Sequence, residues 1–471
     1  MTPLPASLPM KGLLISAAHK SSGKTTISIG LCKALTDQGV TVQPYKKGPD
    51  YIDPMWLGRA ANRPCYNLDF YTMQRDEILA TIHRHSASAD ISLIEGNKGL
   101  YDGLDIEGSN SNAALANLTH TPVVLVIDVQ GMTRGIAPLV LGYQAFDPEL
   151  HIAGIILNQI RGQRHESKLR AVLEHYTEVP VVGAVYHDKS MAIVERHLGL
   201  VPSNESRDAE DRIAHIGKLI ANQVDLDSIR EIAAASPQIP KARASIEPTQ
   251  YTPEVRIAIA RDAAFGFYYP DDLEALQNAG AELIPFNTLQ DRVLPDCDGL
   301  FLGGGFPETH MAALEANTSL RTSIKNAIDQ GLPAYAECGG LMYLARSLRW
   351  QDESRDMVGV IPGDITMHAR PMGRGYIQLE ETSHYPWPGG KHDSNSLIPG
   401  HEFHYSVLEN LPAGQKFAYH VRRGTGINGK SDGLIVKNLL ASYTHLRDTS
   451  QHHWAKRFID FVRSLKSKNG L

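Results

Sequence analysis

Two short stretches of this chain combine residue types and spacing that suit chemistry, one on a phosphate and one on an acyl group. The first is Ala18-His19-Lys20-Ser21-Ser22-Gly23-Lys24-Thr25-Thr26, which follows the apolar run Gly12 to Ser16 and leads into a helix-like segment ending at Gly39. At a strand-to-helix junction, successive backbone N–H groups point at a phosphate and the helix adds its positive end. Lys24 then reaches the outer phosphates, and the Thr25 hydroxyl suits Mg²⁺. Ser21, Ser22, Gly23, Lys24, Thr25 and Thr26 are the expected nucleotide contacts. Ala18 stands where the GxxxxGK[ST] pattern has its first glycine. The second stretch is Pro333 to Ala336 running into Glu337-Cys338-Gly339-Gly340-Leu341-Met342. A Cys on a tight strand-to-helix turn is thrust out at the strand end, the helix N-terminus lowers its pKa, and the N–H groups beginning with Gly339 face a developing oxyanion. The cluster Gly303-Gly304-Gly305, after another strand, offers a second oxyanion donor at Gly304. A thiol nucleophile needs a base, and His445 in Ala441-Ser442-Tyr443-Thr444-His445-Leu446-Arg447 is the candidate, although spacing alone does not pair it with Cys338.

Phosphoryl transfer also needs carboxylates for the metal and the nucleophile. Asp50 and Asp53 lie in Lys46-Lys47-Gly48-Pro49-Asp50-Tyr51-Ile52-Asp53, Glu95 ends the run Ile91 to Ile94, and Asp102 lies in Gly99-Leu100-Tyr101-Asp102-Gly103. On spacing alone each reads equally as a turn-former or helix cap. Their shared position at carboxyl ends of predicted strands, where open α/β sheets bind ligands, favours function. Asn158, at the end of Ile152 to Leu157, reads as a contact for the nucleotide base or as a turn cap.

The elements that must position these residues are α/β. Continuous apolar runs at Gly12 to Ser16, Thr41 to Tyr45, Ile91 to Glu95, Val123 to Asp128, Ile152 to Asn158 and Val181 to Val185 alternate with helix-like segments, as in a doubly wound parallel sheet. Residues 10–203 form the expected nucleotide domain. Residues 204–253 turn to polar helical segments and then to a Pro-rich stretch, read as a linker. Strands resume at Val255, and residues 254–460 form a second α/β domain that ends in short, turn-rich strands.

The 471 residues carry 46 Lys and Arg against 52 Asp and Glu, a net charge of −6, with no basic block that would bind nucleic acid. The four cysteines are scattered without a CxxC pair, which excludes a disulfide framework and a structural zinc site and suits a reducing compartment. No apolar run is long enough to span a bilayer, and the N-terminal MTPLPASLPMKGLLIS lacks a secretory pattern, so the expected location is cytoplasmic. Twenty histidines form no metal-ligand spacing.

The ordered motifs HKSSGKTT, KKGPDYIDP, EGNKGLYDG, GGGFPE, AECGGLMYL, GHEFHYS and ASYTHL, with the linker position, resemble the cobyrinic acid a,c-diamide synthase family over roughly Gly12 to Leu446. That resemblance implies a dethiobiotin-synthetase-like domain joined to a class I glutaminase domain. It implies ATP- and glutamine-dependent amidation of the a and c carboxylates of a tetrapyrrole through an acyl phosphate. By matching position, Thr25, Asp50 and Glu95 would surround Mg²⁺, and Tyr51, Ile52, Asp53 and Asp102 would face the substrate. Cys338 would be the nucleophile and His445 its base. Lys46, Lys47 and Lys98 would meet the substrate's carboxylates. The implied partner is a tetrapyrrole polycarboxylate, with room for a homodimer. The alternative substrate is sirohaem or another isobacteriochlorin. A reading from another class is a P-loop ATPase switch with a non-catalytic C-terminal module. The lysine such switches carry five residues before the loop lysine is His19 here. One departure concerns glutaminases of this class, which usually carry a carboxylate two residues after the histidine. Arg447 occupies that position.

Overall fold

The computed structural model describes residues 11–193, 195–196, 199–206, 208–240, 252–389 and 397–469. Two compact units divide the chain, Met1–Ile246 and Glu247–Leu471. In the first, seven parallel strands alternate with helices: β1 (Gly12–Ala17), α1 (Lys24–Asp37), β2 (Val42–Lys47), α2 (Ile52–Ala61), β3 (Tyr66–Leu68), α3 (Arg75–Ser86), β4 (Ile91–Glu95), α4 (Asn112–Thr119), β5 (Val123–Asp128), α5 (Ile136–Phe146), β6 (Ile152–Ile160), α6 (Gln163–Tyr176) and β7 (Val181–Tyr186). The sheet order is β3-β2-β4-β1-β5-β6-β7. The apolar runs form strands because both faces are covered by helices, which leaves β1, β4 and β5 buried almost throughout. Connections leave the neighbours β1 and β4 in opposite directions, to β2 and to β5. The phosphate loop and Glu95 therefore open into one crevice at the carboxyl edge.

The stretch expected as a linker differs in its first half. Two amphipathic helices, α7 (Ala209–Gln223) and α8 (Leu226–Ala234), belong to the first unit and bury Ile213, Ile216, Ile220 and Ile229. α7 lies so close to α1 that a Cβ on Gly30 would come within 2.2 Å of the Ile220 side chain. Its buried isoleucine stripe makes it a cover for α1 rather than a spacer. The Pro-rich half, from residue 241 to 251, lies outside the described residues.

The second unit is built on a nine-stranded sheet. Its strands are β8 (Val255–Ala260), β9 (Ala281–Phe286), β10 (Gly299–Leu302), β11 (Ala334–Glu337), β12 (Gly373–Glu381), β13 (Ile398–His404), β14 (Lys416–Arg423), β15 (Ser431–Val436) and β16 (Leu439–Ser442), in the order β9-β8-β10-β11-β16-β15-β14-β12-β13. The five from β9 to β16 are parallel, and the rest continue antiparallel. Helices α9 (Pro270–Asn278), α10 (Thr318–Asp329), α11 (Gly339–Leu344) and α12 (Trp454–Asn469) accompany it. β11 is central, so its carboxyl end, where Cys338 begins the turn into α11, is fixed by pairing on both sides.

Candidate active sites

In the first unit the phosphate loop closes with Ser21 at φ 65° and Gly23 at φ 86°, and Gly23 caps α1. Gly23 is required twice, by its left-handed backbone and because a Cβ there would lie 2.3 Å from the Asn158 amide nitrogen. That amide donates to the Ser22 carbonyl at 2.9 Å, so Asn158 braces the loop. Ala18 has no left-handed backbone and contributes its carbonyl, which accepts from the Tyr143 hydroxyl at 2.5 Å.

The cluster behind the loop is Thr25, Lys46, Asp53 and Glu95. Parallel register sets Lys46 and Ile15 beside Glu95 from the two flanking strands. The Thr25 hydroxyl donates to Glu95 Oε1 at 2.7 Å and Asp53 Oδ2 at 3.2 Å. Lys46 Nζ reaches the same two oxygens at 2.9 and 2.6 Å. The hydroxyl-carboxylate group therefore contains Asp53 where Asp50 was expected. Asp50 turns back to accept the Ile52 and Asp53 N–H groups at the start of α2, at 2.9 and 3.1 Å, and burial next to Asp53 raises it to about 7. Burial also raises Glu95, with Asp53 adding to it and Lys46 opposing. The two lysines shift in opposite directions. Burial lowers Lys24 to about 8, whereas Asp53 and Glu95 outweigh burial at Lys46 and hold it well above its ordinary value.

Thr25, Asp53 and Glu95 are hard oxygen donors of the kind Mg²⁺ takes, and Glu95 Oε2 is buried without a hydrogen-bond partner. Among the described residues no group of three or more His, Cys, Asp or Glu side chains is placed to hold a metal by itself. The donor set fits a Mg²⁺ that arrives with a nucleotide's phosphates and keeps water ligands.

Of the residues expected to face substrate, Asp102 is exposed and its carboxylate accepts the Gly99 N–H at 2.9 Å. Tyr51 and Ile52 are largely buried. The three expected cations also separate. Lys46 is consumed by its carboxylates and Lys47 is buried against Asn97 at 3.0 Å, while Lys98 alone of the three is exposed. Sequence reasoning missed Asn112, whose amide donates to Ser16 Oγ and the Gly99 carbonyl, both at 3.0 Å, and whose oxygen accepts the Asn97 N–H at 3.1 Å. It ties the turn after β4 to β1.

In the second unit Cys338 sits at φ 47°, ψ −102°, an elbow a non-glycine residue rarely adopts, held by its N–H donating to the Ser442 carbonyl at 2.8 Å. The glycines around it are steric necessities: a Cβ on Gly339 would lie 2.9 Å from the Gly305 backbone, and one on Gly304 would lie 2.7 Å from His445 Cε1. The structure thus gathers the elbow, the 303–305 loop and His445 at one place. It reverses one expectation. Burial, reinforced by buried Glu308, pushes the Cys338 thiol up, and the Gly339 N–H opposes this only in part, so the resting group is a thiol.

His445 is held by two neighbours through three contacts. Its Nδ1 lies 3.2 Å from Glu337 Oε2, its ring stacks on His401 with centroids 4.9 Å apart and planes 16° apart, and its backbone pairs with that of His401. Arg447 points elsewhere, with Nη2 2.5 Å from Asp271 Oδ2 and its guanidinium 5.0 Å over the Tyr269 ring. Glu337 was visible in the elbow motif but had no assigned role. An acidic residue ending a strand buried on both faces was the available signal.

Two family descriptions match the chain, a CobQ/CobB/MinD/ParA nucleotide binding domain over residues 14–201 and a CobB/CobQ-like glutamine amidotransferase domain over residues 256–452. A cobyrinate a,c-diamide synthase of Magnetococcus marinus is 44% identical over 456 residues, covering 96% of this chain and 97% of that one. A protein of the same name from Methanosarcina acetivorans is 42% identical, covering 95% and 94%, and one from Archaeoglobus fulgidus is 38% identical, covering 99% of each. Among the described residues no helix is long and apolar enough to cross a membrane.

Proposed function

The chain belongs to the cobyrinate a,c-diamide synthase family of glutamine-dependent carbon-nitrogen ligases, and we propose that it converts the a and c carboxylates of cobyrinate to amides, using ATP and glutamine. The observation that carries this reading is that one chain holds both a phosphate loop backed by Thr25, Lys46, Asp53 and Glu95 and a cysteine elbow packed on the 303–305 loop, which in turn packs on His445.

In the second unit the Cys338 thiol passes its proton to His445 as sulfur attacks the glutamine amide carbon. The backbone at Gly304 and Gly339 lines the side where the oxyanion forms. His445 returns the proton to the leaving nitrogen, ammonia departs, and water cleaves the thioester to glutamate and free thiol. In the first unit the loop N–H groups and Lys24 hold the ATP phosphates while a substrate carboxylate oxygen attacks the γ-phosphorus and ADP leaves. Ammonia then adds to the acyl phosphate carbon and phosphate departs, leaving the amide. Thr25, Asp53 and Glu95 would hold Mg²⁺, which when bound neutralises charge on the phosphates. Exposed Lys98 and Asp102 stand on the turn after β4, where the carboxylate would enter.

The test is incubation with ATP, Mg²⁺, glutamine and a panel of cobyrinate, its metal-free counterpart and sirohaem, with amides counted by mass spectrometry. Two amides on cobyrinate are expected. No product from either corrin, or amides on sirohaem alone, would overturn the assignment.

A further inference from the structure

We propose that Glu337, the residue immediately before the nucleophile, is the positioning carboxylate of the glutaminase site, fixing the tautomer and in-plane orientation of His445. This rests on the reading of Cys338 and His445 as thiol and base. The position two residues beyond His445, where such a carboxylate would be sought, holds Arg447, which is committed to Asp271 and Tyr269. Glu337 reaches the imidazole from the neighbouring strand. β11 and β16 pair in parallel with Glu337 opposite Ser442, and Cys338 N–H bonds the Ser442 carbonyl. Acid, nucleophile and base are thereby mounted on two adjacent strand ends.

The carboxylate is itself locked. Its Oε1 accepts the Tyr335 hydroxyl at 2.5 Å and the Leu446 N–H at 3.0 Å, which leaves Oε2 directed at His445 Nδ1 at 3.2 Å. Stacking on His401 restrains tilt of the ring, and Glu337 restrains rotation within its plane. An acceptor at Nδ1 keeps the proton there and makes Nε2 the nitrogen that takes the thiol proton, the role a buried Asp plays in hydrolase triads. His401 does not compete as a cation, since burial, with His445 and Arg447 nearby, lowers it well below its usual value. Among the groups that face His445 are Glu337 from β11, His401 from β13 and the Gly304 backbone. Tyr335, and Tyr269 with Arg447 and Asp271, form the layer behind them.

The Glu337→Gln variant tests this. The amide oxygen can still accept from Tyr335 and Leu446, but an N–H would face Nδ1 and favour the tautomer protonated on Nε2. Glutamine hydrolysis is expected to lose roughly 10²–10⁴-fold in kcat with KM within about threefold. Without a carboxylate beside Nδ1 a positive charge on the ring is less favoured, so the acidic limb of kcat/KM should move to lower pH. Glu337→Asp restores the charge on a shorter arm and should return the limb toward the wild-type position while kcat recovers only in part. A kcat within threefold of wild type for Glu337→Gln, or a loss with an unmoved acidic limb, would overturn the proposal. So would a Glu337→Asp limb displaced as far as that of the Gln variant. Should Glu337→Gln fail to fold, the Asp variant still decides through its limb. Retained hydrolysis in Cys338→Ala would instead sink the underlying reading of the thiol, which keeps the two failures distinct.

Discussion

The two sites solve the placement of charge in opposite ways. Behind the phosphate loop, Lys46 lies within hydrogen-bond distance of both Asp53 and Glu95, and the two acids hold its ammonium charged against burial. Around the elbow there is one carboxylate at the histidine, two stacked imidazoles and a thiol that burial keeps protonated. The first arrangement suits a ligand that brings its own large charge, because lysines and acids are already poised to reorganise around phosphate. The second suits a neutral amide, for which a standing thiolate would be a liability and proton transfer at the moment of attack is enough. Sites that receive ions are built from ions, and sites that create charge transiently are built from positioned proton carriers.

Removing each centre separately tests whether the two chemistries are independent. Cys338→Ala should cost glutamine-dependent amidation on the order of 10⁴-fold or more, while added ammonium salt still supports product. Loss of ammonia-driven synthesis as well would mean the two chemistries are not separable.

Glu95→Gln should lower ATP-dependent amidation by roughly 10²–10³-fold, because the acceptor shared by Thr25 and Lys46 loses its negative charge. A variant that keeps full synthesis would remove Glu95 from the phosphate site. A smaller effect concerns the thiol. Since Glu308 helps to push it up, the protonated form should persist to high pH, and iodoacetamide should modify Cys338 slowly at pH 8. Glu308→Gln removes a nearby anion, shifts ionisation to lower pH, and should speed the modification by roughly three- to tenfold, measured by peptide mass spectrometry. Unchanged labelling would assign the slow reaction to access alone. The smallest effect is expected of Ala18→Gly, which restores the usual loop pattern. Ala18 has no left-handed backbone, so nucleotide affinity by calorimetry should stay within about threefold and stability within about 1 kcal/mol.

Much of this was legible in the sequence. Runs such as Val123 to Asp128 and Ile91 to Glu95 became strands with those same ends, because burial on both faces leaves apolar residues no alternative. The loop, the elbow and His445 were marked by residue types at fixed spacing. The short edge strand Tyr66–Leu68 was missed because three residues carry no periodicity. That Asp53 and not Asp50 lies against Thr25 depended on which carboxylate accepts the N–H groups at the start of α2, a choice three residues wide that only backbone geometry decides. Glu337 escaped for a related reason. Its partner is 108 residues away and meets it through strand pairing.

The docking of α7 onto α1 has a practical consequence for dissecting the enzyme. The helix that springs from the phosphate loop has its outer face sealed by Ile216 and Ile220, pressed over Gly30. A fragment ended at residue 203 would strip that seal and leave a greasy seam along the very helix that aims Lys24 and Thr25. It should therefore aggregate or bind nucleotide poorly, whereas one carried beyond Ala234 should stay monodisperse in gel filtration. The excisable nucleotide-binding piece extends about fifty residues past its last sheet strand, from Tyr186 to Ala234, and any effort to express or swap it should cut there.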